Sequence, residues 1–150
     1  MGQWLIFAVD DRMGMTRHNF SSGTPWESTV GYSRAVRIGN HIWVAGTTAS
    51  DEHGNVIAAG DAVEQTRYIL QKIQRALVEA GATMQDVVRT RIYVTNIAEW
   101  ESIGGVHGEF FGAASGNIRP ASTMVEVSKL VDEQHLVEIE VDAYIGGVER

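Results

Sequence analysis

Leu136-Val137-Glu138-Ile139-Glu140-Val141-Asp142-Ala143-Tyr144-Ile145 alternates between apolar and acidic side chains over most of its length. A period of two puts successive side chains on opposite faces of a β-strand. Val137, Ile139, Val141 and Ala143 then share one face, and Glu138, Glu140 and Asp142 the other. Val87 to Thr95 has the same character, with Val88, Thr90, Ile92 and Val94 opposed to Arg89, Arg91, Tyr93 and Thr95. Strands with one apolar face need a layer of helices to cover it.

Two helical patterns are available for that layer. Asp61 and Glu64 have the spacing of a capping box, with Asp61 as the cap. Thr66, Ile69, Leu70, Ile73, Leu77 and Ala80 follow at helical period, and Gly81 is the expected left-handed residue after the end. Asn96 and Glu99 repeat the cap spacing before Ile97, Trp100, Ile103, Val106 or His107, Phe110 and Phe111. Gly104-Gly105 weakens this second helix by about 1 kcal/mol per glycine, which points to close packing or a bend.

The remaining sheet is read outward from these elements. Arg34 to Ile38, the turn pair Gly39-Asn40 and His41 to Thr47 predict a hairpin, and Ala121 to Val127 another strand. Thr16 to Pro25 reads as polar loop. The order β-β-α-β-α-β-β predicts an α+β domain with two helices on one face of a mixed sheet. No linker or low-complexity run interrupts residues 20–150, which read as one domain after an extension or loop over 1–19. The first fourteen residues read either as an extension upstream of a start at Met15 or as a short extra strand.

Composition narrows the chemistry. The chain has 150 residues, 12 Lys plus Arg against 19 Asp plus Glu, and a formal net charge of −7. That balance argues against nucleic acid and anionic membrane as partners. No cysteine is present, which removes disulfides, thiolate metal sites and thiol nucleophiles. The apolar run Trp4–Val9 is far short of the roughly 20 residues a membrane helix needs. It also lacks the basic flank and cleavage site of a signal peptide, so a cytoplasmic location is expected. His18, His41, His53, His107 and His135 show no metal-ligand spacing, and no P-loop, dinucleotide fingerprint or GxSxG elbow occurs. No cofactor is expected.

The candidate groups each carry two readings. Glu138, half-buried on a strand, has the setting of a general base, or it pairs with Arg89 or Arg91. The charged sheet face is either solvated or an oligomer interface. His107 is a catalytic group or a helix–sheet contact. Arg119, before Pro120, is expected in extended backbone, as an anion clamp or a solvated loop residue.

Several segments together resemble one family. They are Gly31-Tyr32-Ser33-Arg34-Ala35-Val36-Arg37, Val44-Ala45-Gly46-Thr47-Thr48, Gly60-Asp61-Ala62 with Gln65, Ala80-Gly81-Ala82, Asp86 to Val94, Arg119-Pro120-Ala121-Ser122-Thr123-Met124-Val125-Glu126-Val127 and Leu136 to Glu140. The chain resembles the RidA/YjgF reactive intermediate deaminases, also called the L-PSP endoribonuclease family. The resemblance implies a chorismate-mutase-like fold, a homotrimer with small-molecule clefts between subunits, and cofactor-free hydrolysis of enamines and imines. It assigns Glu138 to water activation and Tyr32 and Gly46 to the cleft. On a hydrolase reading, Thr47, Thr123 and His107 are expected to shape the pocket, and backbone N–H groups near Gly46 and Met124 to bind a substrate oxyanion or carboxylate. Where active members of the family carry a carboxylate-clamping arginine, this chain has Ser122, and Gly104 stands at the position of a small amide. Losing a charge-assisted pair typically costs about 2–5 kcal/mol of binding. Arg119, three residues earlier, is the nearest substitute in sequence. Two rival expectations follow: a trimer that binds a metabolite without turning it over, and, against the charge balance, a ribonuclease.

Overall fold

The computed structural model describes residues 15–146. Six strands form one sheet: β1 (Arg17–Phe20), β2 (Ala35–Ile38), β3 (His41–Thr48), β4 (Val87–Val94), β5 (Ala121–Glu126) and β6 (Val137–Tyr144). Their spatial order is β1-β2-β3-β6-β4-β5. Among the described residues only β4 and β5 run parallel; all other neighbours are antiparallel. The helices are α1 (Pro25–Val30), α2 (Ala62–Glu79) and α3 (Trp100–Phe111). The expected α+β fold with a mixed sheet is therefore present, extended by β1 and α1 at its start. The segment 1–14, with its two expected readings, lies outside the described residues.

Local chemistry sets the helix ends. The Asp61 carboxylate accepts from the Glu64 backbone N–H at 3.0 Å and starts α2. Gly81, at φ +87°, takes the left-handed turn that ends it. Ile69, Leu70, Ile73 and Leu77 of α2 are fully buried, with Val137, Ile139 and Val141 of β6 in the same core. Phe111 at the end of α3 is the largest fully buried side chain. Phe111→Ala is expected to cost about 3–5 kcal/mol of stability, lowering Tm by roughly 6–20 °C in calorimetry.

Some expectations need correction. Thr16 to Phe20 is not loop: Arg17–Phe20 pairs antiparallel with Ala35–Ile38. Val88 is exposed and Val87 buried, because a register shift between Val87 and Arg89 displaces one residue from the period-two pattern. Ile97 and Trp100 are exposed, since residues Ile97–Glu99 form a 3₁₀ turn rather than the first turn of α3. Nothing in this chain lies within 4 Å of a Cβ built on Gly104 or Gly105, so neither glycine is required by packing within the chain. Arg119 is not extended; its φ is +51°, and its N–H donates to Phe111 O at 3.0 Å, closing the turn after α3.

The sheet face away from the helices carries the charges. Arg91 pairs with Asp142 at 3.2 Å and Glu140 at 3.6 Å, and Arg89 lies 4.0 Å from Asp142. The Tyr93 hydroxyl donates to Glu140 at 2.8 Å. Among the described residues no helix is long and apolar enough to cross a membrane.

Candidate active site

Glu138 lies opposite Thr48 of β3 and Tyr93 of β4. Its neighbours Val137 and Ile139 enter the core, so its own side chain lies on the charged face. Arg89 and Arg91 spend their charge on Asp142 and Glu140, and Glu138 is in no salt bridge among the described residues. The carboxylate instead folds over Gly46. A Cβ built there would collide with Glu138 Oε1 and sit 3.2 Å from its Cδ. Gly46 is thus required by a close approach, at a register shift between Val44 and Thr47. Burial pushes the Glu138 carboxyl above the ordinary 4.5; Arg34 opposes this and Glu140 adds to it.

Arg34, which the sequence did not single out, is the cation of this cluster. Its Nη2 donates to Gly46 O at 2.8 Å, and its Nε is buried with no hydrogen-bond partner among the described residues. Burial lowers its pKa, while Tyr32, Glu27 and Glu138 act to raise it. The Arg34 backbone is held from both sides. Its N–H donates to Phe20 O at 2.8 Å and Glu27 Oε1 at 3.1 Å. Glu27 is buried and gathers the N–H and hydroxyl groups of Ser22 and Thr24. Burial alone would raise the Glu27 pKa, but these hydrogen bonds outweigh it and hold it low. Thr24, Pro25 and Glu27 carry the signature of a capping box at the start of α1, the signal that could have located this anchor.

A second cation supports the same strand. Lys72 Nζ donates to Thr48 O at 2.9 Å and Ser50 O at 2.7 Å. The carbonyls of Gly46, Thr48 and Ser50 are each bonded to a cationic side chain. Burial, then Arg34 and Arg75, lower the Lys72 pKa to about 8. Tyr32 is exposed and lines a cavity of about 490 Å³ on the charged face with Trp43, Ala45 and Arg91. Thr47 is buried, and its hydroxyl donates to Ala45 O at 2.8 Å, so its side chain shapes the strand rather than the open face.

The other candidates lie at β5. Ser122 pairs in register with Thr90, Thr123 with Arg91 and Met124 with Ile92. Thr90 is fully buried on the helix side, where its hydroxyl meets His107 Nε2 at 2.9 Å and donates to Ser122 Oγ at 2.8 Å. Burial lowers the His107 pKa, which keeps its ring neutral at pH 7. Ser122 and Thr123 are exposed on this edge strand, Met124 is half-buried against the core, and Arg119 is exposed. Within one chain, therefore, Glu138 and Ser122 belong to opposite faces of the sheet. Gly46, Glu138 and Arg34 come together, with Tyr32 near Arg34 but not shown against the carboxylate; His107 and Ser122 form a separate group. The period-two pattern groups Thr90 with the apolar face, and only its tertiary partners give its hydroxyl a role.

Comparison with known proteins agrees with this architecture. The Endoribonuclease L-PSP family model matches residues 24–145. A solved structure of Rv2704 from Mycobacterium tuberculosis, a member of the YjgF/YER057c/UK114 family, is 52% identical with a TM-score of 0.76. The match covers 86% of this chain and 99% of that one. An uncharacterized protein of Streptomyces coelicolor is 36% identical over 129 residues, 85% of this chain and 92% of its own. The 3-aminoacrylate deaminase RutC of Acinetobacter baylyi is 33% identical over 123 residues, 82% of this chain and 93% of its own. The fold is the chorismate-mutase-like α+β fold of small-molecule deaminases and ligand-binding proteins. The chain belongs to the RidA/YjgF family, whose matching model carries the L-PSP name.

Proposed function

We propose that the chain is a cofactor-free hydrolase of small enamines, imines or related carbonyl compounds, working as a cytoplasmic homotrimer with clefts between subunits. The observation that carries this reading is the Glu138 carboxylate, held over Gly46, raised in pKa by burial and not consumed by the arginines of its own sheet face. An enamine first tautomerises to the imine. Glu138 then takes a proton from water as the water oxygen attacks the imine carbon. Glu138 passes that proton to the imine nitrogen, giving a neutral carbinolamine, then relays the carbinol hydroxyl proton to the same nitrogen as the C–N bond breaks, and a carbonyl product and ammonia leave. Arg34 borders this position with Tyr32 beyond it, and Thr123 with the backbone at Met124 on the β5 edge would supply the wall of the cleft from a neighbouring copy. Arg89 and Arg91 face acids rather than forming a cationic stripe, which supports a small ligand over RNA.

The test is release of pyruvate from enzymatically generated 2-aminoacrylate, read by a coupled dehydrogenase. Acceleration over buffer supports hydrolysis; no acceleration with either 2-aminoacrylate or its carboxamide at any protein concentration overturns it. One observation favours a second reading. Ser122 is uncharged where active relatives are expected to clamp a carboxylate, which suits a trimer that binds a metabolite without turnover. Calorimetry with 2-oxo acids separates the two, since heat of binding without pyruvate release supports the binder.

The pH profile provides a further check. Glu138 must be ionised to accept a proton, and its pKa lies above the ordinary 4.5. kcat/KM is expected to rise with pH through an ionisation above that value. An acidic limb at or below it would contradict the assignment.

A further inference from the structure

The hydrogen-bonded line from His107 through Thr90 to Ser122 has no part in the hydrolytic step above. It starts at a half-buried imidazole on α3, crosses the fully buried Thr90 hydroxyl and ends on the exposed edge strand β5. Every member is uncharged at pH 7, because burial keeps His107 neutral and the other two are hydroxyls. The ring lies 4.6 Å from that of Phe111, so the inner end is apolar rather than ionic.

The geometry decides what Ser122 offers outward. In the tautomer with the proton on His107 Nε2, the imidazole donates to Thr90 and Thr90 donates to Ser122 Oγ. The serine hydroxyl hydrogen is then free for a ligand oxygen, and its remaining lone pair is free for a ligand N–H. A donor and an acceptor on one atom suit a carboxamide or another uncharged carbonyl end. A carboxylate there would need only donors, and would lose its hydration without a cation to replace it. Thr90 is itself spent inward, so it cannot supply a second donor.

We propose that Ser122, positioned by Thr90 and His107, is the specificity group of the cleft and selects an uncharged carbonyl or carboxamide end of the ligand over a carboxylate. Thr90 and His107 act through Ser122 as positioning residues. The proposal rests on the reading of the cleft as a small-molecule site.

The experiment titrates ¹⁵N-labelled full chain with pyruvamide and, separately, pyruvate, following amide shifts at Ser122 and Thr123. Pyruvamide is expected to bind about tenfold more tightly, the worth of one or two neutral hydrogen bonds. Thr90→Val keeps the shape and removes the hydroxyl. It should lower pyruvamide affinity roughly fivefold and leave pyruvate unchanged, a difference that a merely structural role would not produce. Ser122→Arg should reverse the preference. Equal or tighter binding of pyruvate by the parent chain overturns this inference alone, as does a Thr90→Val chain with unaltered discrimination. Absence of shifts with both probes overturns the underlying cleft reading as well, which distinguishes the two failures.

Discussion

Glu138→Gln is expected to reduce kcat/KM for imine hydrolysis by about 10²–10⁴-fold, the usual worth of a positioned general base. Glutamine keeps the size of the side chain and can still border Gly46, but its amide cannot take a proton from water. Stability should move the other way. The Glu138 pKa is raised in the folded chain, chiefly by burial. The native state therefore favours the protonated acid. That contribution is fully present below the unfolded pKa of about 4.3 and is lost as pH rises through the folded value. At pH 7 the native chain bears the cost of a buried, ionised carboxylate, which glutamine removes. Tm of Glu138→Gln should exceed that of the parent at pH 7, and the gain should vanish below pH of about 4. Lost activity with gained stability is the signature of a group kept for chemistry. Full activity in the variant would remove Glu138 from the mechanism.

Gly46→Ala is the second large effect, acting on the same carboxylate from outside. The added methyl would occupy the place of Glu138 Oε1, the far end of a flexible side chain. The chain can accommodate it by swinging Glu138 away, so folding is little disturbed. The carboxylate then leaves its position beside Arg34, and the Gly46 carbonyl that Arg34 holds is disturbed with it. A fall of about 10²-fold in kcat/KM with Tm within a few degrees is expected, consistent with the sensitivity of catalysis to misplacement of about 1 Å. A steady-state assay beside a melting curve checks both. Unchanged turnover would show that the close approach of Glu138 to Gly46 has no catalytic consequence.

The parts of the fold legible in the sequence are those set by local chemistry or simple period. Asp61 and Gly81 bracket α2, Gly39-Asn40 turns the hairpin, and the alternation of β6 sorts Glu138 from Val137. The first strand and helix were not legible for the opposite reason. α1 has six residues, and its Trp26 and Val30 are exposed, so no apolar period marks it. Val88 misled because a bulge adds a residue that a period of two cannot register. The site shows the same division. Glu138 is legible from its strand pattern and Gly46 only through resemblance, and their approach is visible only once β3 and β6 pair across the bulge. The expected partners of Glu138 were Arg89 and Arg91, but the register gives them Asp142 and Glu140 as direct neighbours across β6. Arg34 reaches the site through Gly46, twelve residues along the chain, a contact that no local pattern encodes.

The central claim is that a catalytic carboxylate from one copy and the β5 edge of another form a shared cleft. It is motivated by Glu138 and Ser122 lying on opposite faces of one sheet, so that one chain alone does not bring them together. Complementation tests it most directly. Glu138→Gln and Ser122→Trp chains are first shown by native mass spectrometry to assemble as the parent does, then unfolded and refolded together in equal amounts. Each variant alone should be inactive toward 2-aminoacrylate, one lacking the base and the other having its cleft filled. In the mixture, about a quarter of the clefts in a cyclic assembly draw Glu138 from one chain type and Ser122 from the other, and about that fraction of parental turnover should return. Recovery at that level is the predicted result; mixed assemblies as inactive as their parts would contradict the shared cleft.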